Sequence, residues 1–154
     1  MQAIRRDLLK AGTALAALAA FGGALLKPES ARAAWNQAAF QAKSAADAMR
    51  ALGMHDATES KDIEIRAPDI AENGAVVPID VTSNIPGTTS ISVFIEKNPF
   101  PYTGTFDFAA GTVPYVHLRA KLGKSTPVRI VVAANGKYYT AAKEVKVTIG
   151  GCGG

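Results

Sequence analysis

Residues 128–149 read VRIVVAANGKYYTAAKEVKVTI. The dipeptide Asn135-Gly136 divides this stretch into two apolar-rich runs, Val128 to Ala134 and Lys137 to Ile149. Asn-Gly is the sequence best suited to a type I′ turn, because both central residues of that turn need positive φ. The stretch therefore predicts a β-hairpin. In its second strand Val145, Val147 and Ile149 point one way, with Lys146 and Thr148 on the other face.

Period-two alternation continues upstream. Ile63 and Ile65 alternate with Asp62, Glu64 and Arg66 from Lys61 onward, and Pro68 closes that run. Asn73-Gly74 marks a turn before Val77, Ile79 and Val81. Pro78 inside this run lacks a ladder donor, which predicts an edge strand or a bulge. Asn84 to Gly87 form another turn. Ile91, Val93 and Ile95 give the next inward face, with Ser90, Ser92 and Glu96 outward. Phe94 falls on that outward side, where an exposed aromatic would be a candidate partner contact. Asn98 to Tyr102 carry two prolines and cannot extend a regular strand. Thr105 to Phe108 read as a short strand. Val116, Leu118, Ala120 and Leu122 then alternate with Tyr115, His117, Arg119 and Lys121. About seven short strands with frequent turns predict an all-β, immunoglobulin-like sandwich over residues 61–149. No cysteine pair is available to bridge its sheets.

A helical segment, residues 34–53, precedes the strands. Trp35, Ala38, Ala42, Ala45, Met49 and Leu52 recur at steps of three and four, while Gln41, Lys43, Asp47 and Arg50 lie off that stripe. The pattern predicts one amphipathic helix packed on the sandwich or on a partner, ended by Gly53 at C′.

Residues 1–33 read as an export signal. Arg5, Arg6 and Lys10 form a positive start, Ala11 to Leu26 an apolar run, and Ala31-Arg32-Ala33 a small-x-small cleavage pattern. The run has fewer than the ~20 residues a membrane-spanning helix needs. Arg5, Arg6, Leu9 and Lys10 resemble the twin-arginine export motif, while Ile4 and Leu8 depart from its usual residues. Periplasmic localisation, with no stable membrane association after processing, is the expectation. Most of the net charge of +4 belongs to this leader. Five of the 17 basic and two of the 13 acidic residues precede Ala34, leaving 12 against 11. A mature charge near +1 gives no electrostatic footprint for nucleic acid.

The chain ends Gly150-Gly151-Cys152-Gly153-Gly154, and Cys152 is its only cysteine. A single thiol in an exported protein cannot close an internal disulfide. It is free, modified, or bonded to another molecule. Four glycines without side chains favour a flexible arm, with a reach of roughly 10 Å from Ile149 to Cys152. Such an arm can thread a narrow channel. It supplies neither a fixed base nor a preorganised positive field, so it suits a carrier better than a catalytic nucleophile. An intersubunit disulfide in an exported immunoglobulin-like interaction module, a mixed disulfide with a small thiol, and a chance cysteine in a tail are the competing readings. A thiol reductase or peroxidase would be favoured by a second cysteine or a CxxC, and neither exists. His55 and His117 have no further ligand at metal-binding spacing, and no carboxylates pair as acid and base. No catalytic residue, metal site or cofactor is expected. Tyr138 and Tyr139 read as surface packing.

The terminal GGCGG resembles that of the SoxY family, the carrier subunits of the bacterial sulfur-oxidising (Sox) system. PDIAENGAVVPIDV (residues 68–81), NPFP (98–101) and EVKVTIGGCGG (144–154) are similar to segments of the same family. The resemblance implies a heterodimer with SoxZ, itself a small immunoglobulin-like protein. It implies that Cys152 carries the sulfur substrate and that Gly150, Gly151, Gly153 and Gly154 form the swinging arm. It further implies transient contacts with three enzymes. SoxXA, a c-type cytochrome complex, would couple thiosulfate to the thiol. SoxB, a metal-dependent hydrolase, would release sulfate, and SoxCD would process the remaining sulfur. Phe94 and the Asn98–Tyr102 loop are candidate surfaces for SoxZ.

Overall fold

The computed structural model describes residues 36–148. The hairpin at its centre forms as the Asn-Gly turn demands. β8 (Thr126–Ala134) and β9 (Lys137–Val147) pair antiparallel from Thr126↔Val145 to Ala134↔Lys137. Asn135 and Gly136 both take positive φ, +52° and +72°. The Asn135 amide also donates to the Pro86 carbonyl at 2.8 Å, tying this turn to the next one.

Seven further strands complete two sheets. They are β1 (Thr58–Glu59), β2 (Ile63–Arg66), β3 (Ile70–Ala71), β4 (Val77–Ser83), β5 (Thr88–Ile95), β6 (Tyr102–Asp107) and β7 (Tyr115–Ala120). The larger sheet runs β1-β9-β8-β5-β6, and β3 adds to the far end of β9. The smaller runs β2-β4-β7. Their facing sides interdigitate Ile91, Val93, Ile95, Val128, Ile130 and Val132 with Ile63, Val77, Ile79, Val81 and Val116, all buried. This is the predicted immunoglobulin-like sandwich. It opens with β1, three residues before the expected boundary at Lys61.

The strand count and several details differ from expectation. β1 and β3 are two residues each, too short to show a period, and both lie parallel to β9. β6 starts directly after Pro101, at Tyr102 rather than Thr105, and a register shift at Val93/Phe94 accommodates the prolines. Pro78 sits in β4, the middle strand of the small sheet, and not on an edge strand. The contradiction is local. β2 ends at Arg66 opposite Asp80, so Pro78 is paired only on its β7 side, with Arg119. No donor is missed there.

The helical segment is two short helices rather than one. α1 (Gln37–Gln41) begins at Asn36, whose side chain accepts from the Ala39 N–H at 3.0 Å. α2 (Ala45–Ala51) begins at Ser44. The Ser44 hydroxyl accepts from the Asp47 N–H at 3.1 Å and donates to the Asp47 carboxylate at 2.7 Å. That reciprocal cap makes Ser44 a start signal and breaks the helix after Ala42, which is extended at ψ 141°. Gly53, at φ +71°, ends α2, with Met54 N–H bonded to Met49 C=O and Gly53 N–H to Arg50 C=O. Because the helix breaks, the buried stripe shifts. Ala39 and Ala48 are fully buried, whereas Ala38 is exposed.

These helices cover the outer face of the large sheet and make a second core. Phe94, Tyr102, Val131, Met54, Ala39 and Ala48 form it, with Phe40, Met49 and Leu52 packed alongside. Phe94 is therefore no exposed partner contact: it is 0 % accessible and lies under helices of its own chain. Ser90 and Ser92, on the same side of β5 as Phe94, are buried too. A hydroxyl chain satisfies Ser92, with Thr105 Oγ1 2.7 Å from it and the Tyr102 hydroxyl 2.8 Å beyond. Tyr138 packs into this second core and Tyr139 against the sandwich core, so the pair straddles the sheet and is not surface packing. Among the described residues no helix is long and apolar enough to cross a membrane.

Candidate functional site: the root of the C-terminal arm

Cys152, Gly150, Gly151, Gly153 and Gly154 lie outside the described residues, as do Arg5, Arg6, Leu9 and Lys10 of the leader. What the fold does position is the strand that leads toward Cys152. β9 leaves the sandwich at the end opposite its hairpin turn, and its last residues are held from both sides.

The β8 ladder stops at Thr126↔Val145. Beyond it the backbone of residues 146–148 bonds to Asp69 and β3 on one side and to Ser125, just before β8, on the other. Lys146 N–H donates to the Asp69 carbonyl at 2.9 Å and Thr148 N–H to the Ala71 carbonyl at 3.1 Å. Between them, Val147 N–H donates to the Ser125 hydroxyl at 2.9 Å. The alternation arises because β3 runs parallel to β9 on one side while Ser125 lies on the other. The Val147 side chain still packs on the sandwich core.

The two holding segments are themselves joined. Leu122 N–H donates to the Gly74 carbonyl at 2.7 Å. A Cβ on Gly74 would stand 2.5 Å from the Leu122 carbonyl oxygen and 2.8 Å from Val147 Cγ1. Only glycine lets the turn come this close. The Asn73 side chain accepts from the Ala75 N–H at 2.9 Å and shapes that turn. On the other side, Asn98 brackets residues 121–123. Its amide donates to the Lys121 carbonyl at 2.8 Å and its carbonyl accepts from Gly123 N–H at 3.1 Å. Lys97 N–H donates to the Thr126 hydroxyl at 2.9 Å. The AENG segment and the NPFP segment, far apart in sequence, thus converge on residues 121–123 beside the end of β9.

The surface around this root is partly apolar and partly basic. Ile70, Val76 and Phe100 are at least half exposed. The Lys43 ammonium lies 3.6 Å above the Phe100 ring, a cation–π contact from the linker between the helices. Lys143 pairs with Asp69 at 3.0 Å and Lys97 with Glu144 at 3.7 Å. Lys121, Lys124 and Lys146 are exposed.

A second polar cluster occupies the outer face of the small sheet. Asp80 accepts from the Tyr115 hydroxyl and, at 2.8 Å, shares a hydrogen bond with His117 Nδ1. The Tyr115 bond foremost, then His117, holds the Asp80 carboxyl below its ordinary value, and Asp80 in turn raises the Tyr115 phenol. All three are solvated cross-strand neighbours, fixed by the β4–β7 register. His55 lies exposed beside Asp56 at 3.1 Å. Among the described residues no group of three or more His, Cys, Asp or Glu side chains could hold a metal ion.

Sequence reading missed Ser125, Asp69 and Ala71 as holders of the arm root. Gly74 was visible only as half of a turn signal. Nothing local marks these residues, because their role depends on β9 lying between two segments.

A search of curated proteins finds no match. The family model for sulfur oxidation protein SoxY matches residues 48–152. Among solved structures, the sulfur carrier protein SoxY from Chlorobium limicola f thiosulfatophilum is 44 % identical, with a TM-score of 0.60. That match covers 67 % of this chain and 96 % of the other. A superoxide reductase (neelaredoxin) from Ignicoccus hospitalis has a TM-score of 0.50 at 22 % identity. That match covers 56 % of this chain and 80 % of the other. At that identity the likeness speaks for the fold alone. A match spanning the whole sandwich and reaching Cys152, together with the carrier structure at 44 % identity, leads to one conclusion: the chain belongs to the SoxY family of sulfur oxidation proteins.

Proposed function

We propose that this protein is a periplasmic covalent carrier of thiosulfate-derived sulfur, loaded on Cys152 and exported through the twin-arginine pathway. The observation that carries this reading is that the family match extends to the only cysteine, four residues past a strand end held at Thr148. Four residues give the thiol a reach of roughly 14 Å from that anchor when extended. The glycines flanking Cys152 leave it thin enough to enter a recessed active site.

The chemistry is supplied by partners. The Cys152 thiol and the sulfane sulfur of thiosulfate form an S–S bond, giving Cys–S–S–SO₃⁻. The thiol proton is released to solvent, and two electrons leave and are accepted by the c-type cytochrome complex SoxXA. Water then attacks the terminal sulfonate at SoxB, breaking the bond between the sulfonate and the sulfane sulfur to release sulfate and leave Cys–S–SH. SoxCD, where present, oxidises the remaining sulfane sulfur. SoxZ is the stable partner in a SoxYZ heterodimer. This chain catalyses none of these steps and keeps the sulfur attached between them.

With Phe94 buried beneath α1 and α2, and Tyr102 buried in the same core as the first residue of β6, the Asn98–Phe100 part of the expected loop remains the candidate for SoxZ contact, with Phe100 half exposed. The test of the reading is Cys152→Ser in the SoxYZ complex. Thiosulfate-dependent cytochrome reduction should disappear while the variant stays folded and bound to SoxZ. Undiminished reduction would exclude Cys152 as the attachment site.

A further inference from the structure

We propose that Gly74 and Ser125 are positioning residues that fix the pivot of the arm at Val147 and Thr148. The proposal rests on the carrier reading above.

The β8 ladder alone would hold β9 only to Val145. Each later amide depends on a partner outside β8. Asp69 and Ala71 hold Lys146 and Thr148 from the β3 side, and Ser125 holds Val147 from the other. The β3 side stays in place because the turn that follows it is pinned to Leu122, through the 2.7 Å bond to the Gly74 carbonyl. Leu122 is almost fully buried, so this anchor point is rigid. The approach is too close for any Cβ. A methyl group at position 74 would meet backbone at Leu122 and the branched side chain of Val147 together. Backbone cannot swing aside as a flexible side chain can. The turn must therefore lift, and it would take its grip on residues 146–148 with it.

Loosening the clamp would move the pivot from Thr148 back toward Val145. The stretch between the last held residue and Cys152 would lengthen from four residues to seven. The local concentration of a tethered group falls roughly as the −3/2 power of tether length, which gives about a twofold loss. The thiol's intrinsic chemistry does not depend on the clamp.

Gly74→Ala and Ser125→Ala test this in the SoxYZ complex, with Ser125→Thr as the conservative control that keeps the hydroxyl. The first readout is amide hydrogen exchange. Exchange at Lys146, Val147 and Thr148 should accelerate by about tenfold or more, while Ile130 and Val132 in the sheet interior stay unchanged. The second readout is the rate of thiosulfate loading by the cytochrome complex, which should fall about twofold or more. Alkylation of Cys152 by iodoacetamide, a small reagent needing no docking, should keep its rate. Ser125→Thr should restore both exchange and loading. Exchange that rises no more at residues 146–148 than in the interior would overturn the clamp. Loosened exchange with unchanged loading would overturn the positioning role. Both failures leave loading dependent on Cys152, whereas loading that persists in Cys152→Ser would overturn the carrier reading and this role together.

Discussion

Replacing Phe94 by alanine separates two opposite accounts of the large sheet's outer face. If that face met a partner, truncation would weaken association and leave the isolated chain stable. In the structure Phe94 is completely buried, with its ring 5.4 Å from that of Tyr102, which lies 4.5 Å from Phe40 of α1. Removing a buried phenylalanine costs about 3–5 kcal/mol, through lost transfer energy and the cavity left behind. Native domains are stable by only about 5–15 kcal/mol, so the loss is a large share of the total. For a domain of about 110 residues the melting entropy is near 0.23 kcal/mol/K, and the midpoint should fall by about 13–22 °C. Phe94→Leu keeps most of the volume and should lose about 1 kcal/mol. The assay is urea and thermal unfolding followed by circular dichroism and tyrosine fluorescence. A loss below about 1 kcal/mol for Phe94→Ala, with SoxZ binding weakened instead, would refute the covered face.

Two other predictions concern the arm and the small sheet. Gly150→Val with Gly151→Val should slow enzymatic loading several-fold by stiffening and thickening the arm; loading kinetics equal to wild type would remove the narrow-channel argument. The Asp80 carboxyl is held below its unfolded value of 3.8, first by Tyr115 and then by His117. A depressed carboxylate contributes stability above its unfolded pKa and loses it as pH falls through the folded value. Acid unfolding of the wild type should therefore steepen below pH 3.8 relative to Asp80→Asn. Acid titration curves of equal slope for the two proteins would contradict a stabilising role for the cluster.

Much of the sandwich was legible because its inner faces obey one simple rule. Val77, Ile79 and Val81, and Ile91, Val93 and Ile95, alternate cleanly and are all buried. Asn135-Gly136 needs positive φ and adopts it. The failures share a cause. Alternation says which residues share a face, but not what covers it, and the cover over Phe94 comes from helices some fifty residues earlier. The helix break was within reach, since Ser44 and Asp47 have the spacing of a capping box. An uninterrupted apolar stripe outweighed it.

The site divides along the same line. Cys152 and its glycines stand out from residue identity alone, and the AENG and NPFP segments stand out by resemblance. Their convergence on the arm root does not. It depends on β9 passing between the Asp69–Ala71 segment and Ser125, a juxtaposition set by strand register. Gly74 shows the limit well. Its sequence context marks a turn, whereas the structure requires its lack of a side chain for the approach to Leu122 and Val147.

Intact mass and C-terminal peptide mapping of the protein, purified without reductant from cells oxidising thiosulfate, test the covalent carriage of sulfur most directly. The account predicts a reductant-labile sulfur adduct confined to the peptide containing Cys152, with the remainder of the chain unmodified. A thiol that is always bare under turnover, or found only in a covalent dimer, would contradict it.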